Sequence, residues 1–435
     1  MEEKTQEMLE DRAARKAVLV SIYPQGGEGE CLASLAELAR LLDTAGGQMA
    51  GMLTQMRPAV DSRFGIGSGK IRELSDICKN TGAQLVVFDF ELTPSQIRAI
   101  EDEMETEVSV IDRSILILDI FASRASSAEG RLQVELAQLK YTAPRLMGKG
   151  KDLSRLGGGI GTRGPGESKL EIDRRRLKTR ILHLEEELRR VEKNRGIIRS
   201  ARERTGICKC AIVGYTNAGK STLMNALTGA GIFAEDKLFA TLDPTTRQFV
   251  LPGGTKILLT DTVGFIRNLP HHLIQAFKST LEEAAWADLL LVVCDASDED
   301  FAKQLAVTGN LLEELGAAGK PTLFVFNKCD RIHDDGRMAE MRQIAKDSGG
   351  EFVFVSAQAG AGLDTLSQKI EQLAGRGKKE MCLLLPAGAG DKLGELYDVG
   401  ENVQVEYREN GIFVTLLGDK RLQGRFAKYR VDTEV

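Results

Sequence analysis

At 435 residues, with 42% hydrophobic residues and a formal net charge of −5, the chain is too long for one core and too acidic for a general nucleic-acid binder. It has no run of about eighteen apolar residues, and its charged start, MEEKTQEMLEDRAARK, has no apolar stretch, so neither a helical membrane span nor a secretory leader is expected. The seven cysteines are scattered, several inside apolar runs, as in a cytosolic protein with reduced thiols.

In chain order, KAVLVSIYP reads as a buried strand and CLASLAELARLLDTAG as the helix after it. GQMAGMLTQMR, SGKIRELSDICKNTG, AQLVVFDFEL, TPSQIRAIEDEME and TEVSVIDRS continue the alternation. This predicts a small, mostly parallel α/β domain over 17–125. Two helical segments follow. One carries Leu132, Leu136 and Leu139 on one face; the other repeats Leu170, Leu177, Ile181, Leu184, Leu188, Val191 and Ile198 at heptad-like spacing. Joined by one loop, they predict an antiparallel helical arm over 126–205, with packing between the arm helices as the role of the stripe. The run Arg174, Arg175, Arg176 fits a solvated helix face as well as an RNA contact.

A second α/β pattern begins at CKCAIVG and continues through TKILLTDTVGF, ADLLLVVCDAS, PTLFVFNKCD and EFVFVSAQ, with helical segments between. It predicts a doubly wound sheet over 206–375. Cys208 and Cys210 suggest a buried strand more than zinc, because the chain has four histidines and no second cysteine pair. NVQVEYR and GIFVTLLG then indicate a small α+β unit over 376–435. The class is therefore multidomain α/β.

Three glycine-rich stretches compete for a phosphate. Gly214, Tyr215, Thr216, Asn217, Ala218, Gly219, Lys220 and Ser221 match G-x-x-x-x-G-K-[ST] in full, after an apolar strand and before a helix. Backbone N–H groups there would hold phosphates, Lys220 the β- and γ-oxygens, and Ser221 a Mg²⁺ ion. FGIGSGKI, Phe64 to Ile71, has Phe64 where the first glycine belongs and Ile71 in place of the hydroxyl. The stretch LGGGIGTRGPGES, Leu156 to Ser168, has six glycines but no Lys-Ser/Thr pair and follows no strand. Downstream, Asp261, Thr262, Val263 and Gly264 end one strand, Asn327, Lys328, Cys329 and Asp330 another, and Ser356, Ala357 and Gln358 the last. Asp330 can accept from the N1–H and amine of guanine, a pair of donors that adenine lacks. The last three residues can offer a backbone N–H to guanine O6. In this order the motifs imply a GTPase.

RLQVELAQLKYTAPRL, LSRLGGGIGTRGPGESKLEIDRR and FATLDPTTR together resemble the HflX family of ribosome-associated GTPases over nearly the full chain. The resemblance implies an N-terminal α/β domain, a helical arm, a GTPase domain and a small C-terminal domain. It also implies binding to the large ribosomal subunit and its rRNA, with ribosome splitting under stress. Phe239, Ala240, Thr241, Leu242 and Asp243 match switch I, with Thr241 as the second Mg²⁺ hydroxyl, and Asp261 to Gly264 match switch II. Lys220, Thr241 and Gly264 are the expected catalytic residues. Asn217 matches an asparagine that helps some related GTPases hold K⁺.

Between Arg145 and Gly166 stand Arg145, Lys149, Lys151, Arg155 and Arg163 against one acid, Asp152. Basic groups on a glycine-rich loop suit close approach to an RNA backbone, although a flexible turn between helices is the plain alternative. His271 and His272 read as solvated. Phe265 follows the D-x-x-G segment, where many GTPases place a water-orienting glutamine. Two other readings stay open: a signalling switch acting on a protein effector, and an RNA-binding module whose GTP site only stabilises the fold. A monomer that binds no DNA is expected.

Overall fold

The computed structural model describes residues 16–105, 107–146, 165–204, 207–229, 237–332, 334–375, 379–418 and 420–431. The glycine-rich segment 147–164, with Arg155 and Arg163, lies outside them. The described chain forms two compact units that interleave in sequence. The first holds residues 1–191 with 235–243 and 266–279; the second holds 192–234, 244–265 and 280–435.

The first unit contains a four-stranded, wholly parallel sheet of order β2-β1-β3-β4. Its strands are β1 (Lys16–Tyr23), β2 (Gln48–Met56), β3 (Leu85–Phe88) and β4 (Ser109–Asp112). Helices α1 (Glu28–Thr44), α2 (Ser68–Thr81), α3 (Pro94–Glu103) and α4 (Arg113–Arg124) connect and cover them. The core of Val18, Val20, Phe64, Ile66, Leu74, Val86, Phe88 and Ile100 is almost fully enclosed. Phe64 and Ile66, from the second glycine-rich stretch, belong to that core, so the stretch packs rather than cradles a ligand.

At the carboxyl ends of these strands lies a buried ion cluster. Arg113 pairs with Glu37 of α1 and, at 2.5 Å, with Asp89 after β3, and it donates to Ser34. A charge removed from water costs several kcal/mol unless paired and hydrogen-bonded, and here both carboxylates meet the same guanidinium. Asp112 caps α4 through the Ile115 N–H and accepts from the Tyr141 hydroxyl at 2.7 Å. Tyr141 belongs to α5 (Ala128–Leu146). Its ring stacks on that of His272, which also stands 3.3 Å from Glu91, so the expectation of a solvated His272 is corrected: a flat ring has found a flat partner.

Helix α6 (Pro165–Arg204) is joined to α5 by Arg180–Glu135 and Lys140–Glu185. Of its apolar stripe, Leu184 and Leu188 are buried.

The second unit carries a six-stranded sheet of order β10-β9-β8-β5-β7-β6. The strands β5 (Cys208–Gly214), β7 (Lys256–Asp261), β8 (Leu289–Asp295), β9 (Thr322–Asn327) and β10 (Glu351–Phe354) are parallel. The edge strand β6 (Thr245–Val250) runs antiparallel to β7. Cys210 is buried on β5, as the strand reading required. The order reverses at β5, where doubly wound sheets leave a crevice for ligands. Strands β11 (Lys379–Leu385), β12 (Glu401–Arg408), β13 (Gly411–Gly418) and β14 (Arg430–Val431) add an antiparallel sheet of order β12-β13-β11-β14 with its own core around Leu383, Leu396 and Val414. No helix among the described residues is long and apolar enough to cross a membrane.

Candidate nucleotide site

Five loops at the carboxyl ends of the second unit's strands converge. The first runs from Gly214 to the start of α7 (Lys220–Thr228). Its glycines answer to local geometry. Gly214 has φ +147°, and a Cβ there would lie 2.1 Å from the Val293 carbonyl oxygen. Gly219 has φ +90°, and its Cβ would lie 2.2 Å from the Asn327 side-chain nitrogen. Asn217 takes a left-handed φ of 60°, which asparagine tolerates better than most residues.

The Lys220 ammonium donates to the Tyr215 carbonyl at 2.8 Å. Burial pushes its pKa down to about 8, against the opposing pull of Asp261. The Ser221 hydroxyl donates to Asp261 at 2.7 Å, and Asp261 is fully buried at the end of β7. A hydroxyl and a carboxylate in contact form an oxygen donor set suited to a hard divalent cation such as Mg²⁺. The Thr216 hydroxyl is buried with no hydrogen-bond partner among the described residues, as expected of a wall built for a polar ligand.

The D-x-x-G segment lies directly against this loop. A Cβ on Gly264 would come within 2.8 Å of the Thr216 Cα and 2.9 Å of the Lys220 Nζ. Phe265 is 1% exposed; its N–H donates to the Gly214 carbonyl at 3.0 Å, and its carbonyl accepts from the Thr216 N–H at 2.7 Å. Thr262 is fastened through its hydroxyl to the Ile212 carbonyl, with Val263 buried beside it.

Asn327 ties three loops together. Its amide donates to the Ala218 carbonyl at 2.9 Å, and its side-chain oxygen accepts from the Ala357 N–H at 3.0 Å. Lys328 donates to the Asn217 carbonyl and pairs with Asp295 at 2.7 Å. Cys329 opens the following turn, Cys329–Arg331. A hydrogen bond from Ser356 holds the Asp330 carboxyl below the usual carboxylate range. The N–H groups of Ser356 and Ala357 are engaged by Ala361 and Asn327, so Gln358 is the exposed member of the last trio. Asp295 was missed in the sequence, although an acid closing the apolar run ADLLLVVCD marks it.

The switch I residues belong to the first unit. Phe239 is buried with its ring edge-to-face on Phe121, centroids 4.8 Å apart, and Asp243 bonds to Ser126 and Ser127. Leu242 is buried, while Ala240 and Thr241 are half-buried.

Three family models match the chain: "GTP-binding GTPase N-terminal" over residues 32–122, "GTP-binding GTPase Middle Region" over 124–202, and "50S ribosome-binding GTPase" over 209–328. A GTPase HflX of Caldanaerobacter subterraneus subsp. tengcongensis is 47% identical over 403 residues, 93% of this chain and 91% of that one. The GTPase HflX of Lacrimispora saccharolytica is 46% identical over 408 residues, 94% of this chain and 95% of its own. Among solved structures, a GTP-binding protein of Sulfolobus solfataricus in complex with GDP is 27% identical, covering 83% of this chain and 98% of that one, with a TM-score of 0.44. With this identity over nearly its whole length, the chain belongs to the HflX family of GTPases.

Proposed function

We propose that this GTPase works on the large ribosomal subunit and its rRNA, as a cytoplasmic monomer that splits or rescues stalled ribosomes under stress, and that the ribosome stimulates its GTP hydrolysis. Hydrolysis of GTP to GDP and phosphate follows from family membership. The ribosomal partner is supported by the GTPase model's description and by the basic bias of 145–166 in an acidic chain.

In this reading, Gly214 to Ser221 bind the phosphates and Lys220 holds the β- and γ-oxygens. Asp330, Asn327 and Gln358 frame the guanine. Ser221 and Thr241 would hold Mg²⁺, with Asp261 behind Ser221. The metal would neutralise charge growing on the phosphate oxygens. Gly264 brings the switch II backbone to the γ-phosphoryl group, because any side chain there would strike Thr216.

The observation that carries the ribosomal dependence is the burial of Phe265, whose two backbone groups are already bonded to the phosphate loop. A buried hydrocarbon ring cannot orient the attacking water, so a docking partner completes or orders the site. Co-sedimentation with large subunits, compared in GTP and GDP, tests this reading. Binding in GTP that is lost in GDP is expected. Absence from the subunit fraction favours a protein effector, and binding blind to nucleotide favours a structural GTP site.

A further inference from the structure

Asp243 does something that nucleotide binding does not ask of it. Its carboxylate accepts from the N–H and hydroxyl of Ser126, at 2.9 and 2.7 Å, from the N–H of Ser127 at 2.7 Å, and from the Ser127 hydroxyl. The Ser127 oxygen in turn accepts from the Gly130 N–H at 2.8 Å. Ser126 and Ser127 stand immediately before α5, and Ser127 is its cap, with Asp243 bracing that cap from behind. A helix start normally draws its cap from the adjoining residue, and a negative charge there is favoured by the helix dipole. Here the charge comes from switch I, 117 positions away.

A second anchor lies just before Thr241. The Leu238 N–H donates to the Thr44 hydroxyl at 3.3 Å. Phe239 is held at a left-handed φ of 54°, a strain that persists because its ring is fixed against Phe121, which also meets Phe277. Thr241 is therefore two residues from an anchor on either side, and two residues span at most about 7 Å. Thr241 cannot move far without displacing Asp243. Gly130 is fitted to this contact, since a Cβ there would stand 2.4 Å from the Asp243 carboxylate. The other end of α5, at Leu146, continues into the basic, glycine-rich segment.

We propose that Asp243 is a coupling residue: by bracing Ser127, the cap of α5, it links the position of Thr241 in switch I to the start of that helix. This rests on the ribosomal reading above. When Thr241 shifts between the GTP and GDP states, the support of the α5 cap changes with it, and by linkage a large subunit that holds α5 biases switch I in return.

Two measurements on the full chain test the coupling. In the first, affinity for large subunits is measured in a non-hydrolysable GTP analogue and in GDP, for the wild type, Asp243→Ala, Asp243→Asn and Gly130→Ala. Couplings of this kind lie at roughly 5- to 150-fold. Asp243→Ala is expected to bring the GTP/GDP affinity ratio close to one, and Asp243→Asn, which keeps one acceptor oxygen, to restore part of it. Gly130→Ala favours the helix yet pushes the carboxylate aside, so it folds, binds GTP normally by titration, and still lowers the ratio. A full ratio in Gly130→Ala and Asp243→Ala overturns the coupling. The second measurement is hydrogen exchange at Ser126 to Gln133 in the wild type with GDP and with the analogue, which needs no ribosome. Different protection in the two states is expected, and equal protection overturns the inference. If the wild type ignores subunits while protection still differs, the ribosomal reading fails and the Asp243 link stands.

Discussion

Lys220 donates to the carbonyl of Tyr215 at 2.8 Å, five residues back in its own loop, so the cation proposed to bind the phosphates is buried in a protein cradle. Burial favours its neutral form and sets its pKa near 8, whereas bound polyphosphate favours the charged form. Nucleotide binding therefore takes up a proton once the pH exceeds about 8. GTP affinity is expected to hold steady from pH 6.5 to 7.5 and then to fall, by up to roughly tenfold per unit, as the pH rises through 8 to 10. Titration calorimetry in buffers of different ionisation enthalpy reads the proton directly. Proton uptake absent at pH 9 rejects the assignment. For the folded protein alone the sign is opposite: the depressed pKa makes the unfolded state hold more protons between pH 8 and 10.5, so stability rises with pH in that window.

The hydrogen bond from Ser356 keeps Asp330 ionised, and an ionised carboxylate can only accept. Asp330→Asn is expected to weaken GTP about ten- to a hundredfold and to improve xanthosine triphosphate, because the amide donates where the carboxylate accepted. Competition titration with both nucleotides measures the exchange. An unchanged GTP affinity removes Asp330 from the base site.

Asn217 stands at φ 60° with its carbonyl held by Lys328, which fixes its place in the phosphate loop. A potassium ion beside it would neutralise charge that other GTPases meet with an arginine. Hydrolysis is then expected to run faster in KCl than in NaCl at equal ionic strength. Equal rates, or an Asn217→Ala variant that keeps the preference, exclude the ion.

Much of this architecture was legible in the residues, for a physical reason. The phosphate loop, Asp261, Asn327 and Asp330 each sit where a buried strand must stop, and apolar runs ended by polar residues show that without a structure. The strand–helix alternation of both sheets was readable in the same way. Helix α4 was missed because RSILILDIFASR is apolar on nearly every side and shows no helical period. Strand β6, TTRQFV, was missed because an edge strand half open to solvent mixes polar and apolar residues. His272 on Tyr141 and Asp243 on Ser126 were out of reach, since both depend on residues far away in the chain meeting in space.

Arg155 and Arg163 supply two of the three guanidinium groups of the basic segment, those within its glycine-rich part. Replacing both with alanine is expected to leave GTP affinity unchanged and to weaken large-subunit binding, most visibly as salt is raised. Pelleting with subunits from 50 to 200 mM salt, beside a nucleotide titration, checks both halves. A collapse in GTP affinity with subunit binding intact would assign the segment to the nucleotide.

The burial of Phe265 bears on how hydrolysis is proposed to be switched on. Its ring is sealed in the fold, and its backbone pins the D-x-x-G segment to the loop proposed to receive the phosphates, through Gly214 and Thr216. In the proposed reading Lys220 and the backbone at Gly264 face the γ-phosphoryl group, and a metal held by Ser221 would neutralise charge there. The side chain after the D-x-x-G segment, where many GTPases carry a water-orienting glutamine, is the hydrocarbon of Phe265. Supplying such a missing group from a partner is worth on the order of 10³–10⁵ in rate. The isolated protein is therefore expected to bind GTP readily, to hydrolyse it slowly, and to accelerate clearly with large subunits. Phe265→Gln places an amide in an apolar pocket without a partner, which costs roughly 1–3 kcal/mol of stability and gives no fast enzyme. Single-turnover phosphate release, with and without large subunits, separates chemistry from product release. Fast turnover by the protein alone, indifferent to added subunits, would show that a group within this chain already orients the water.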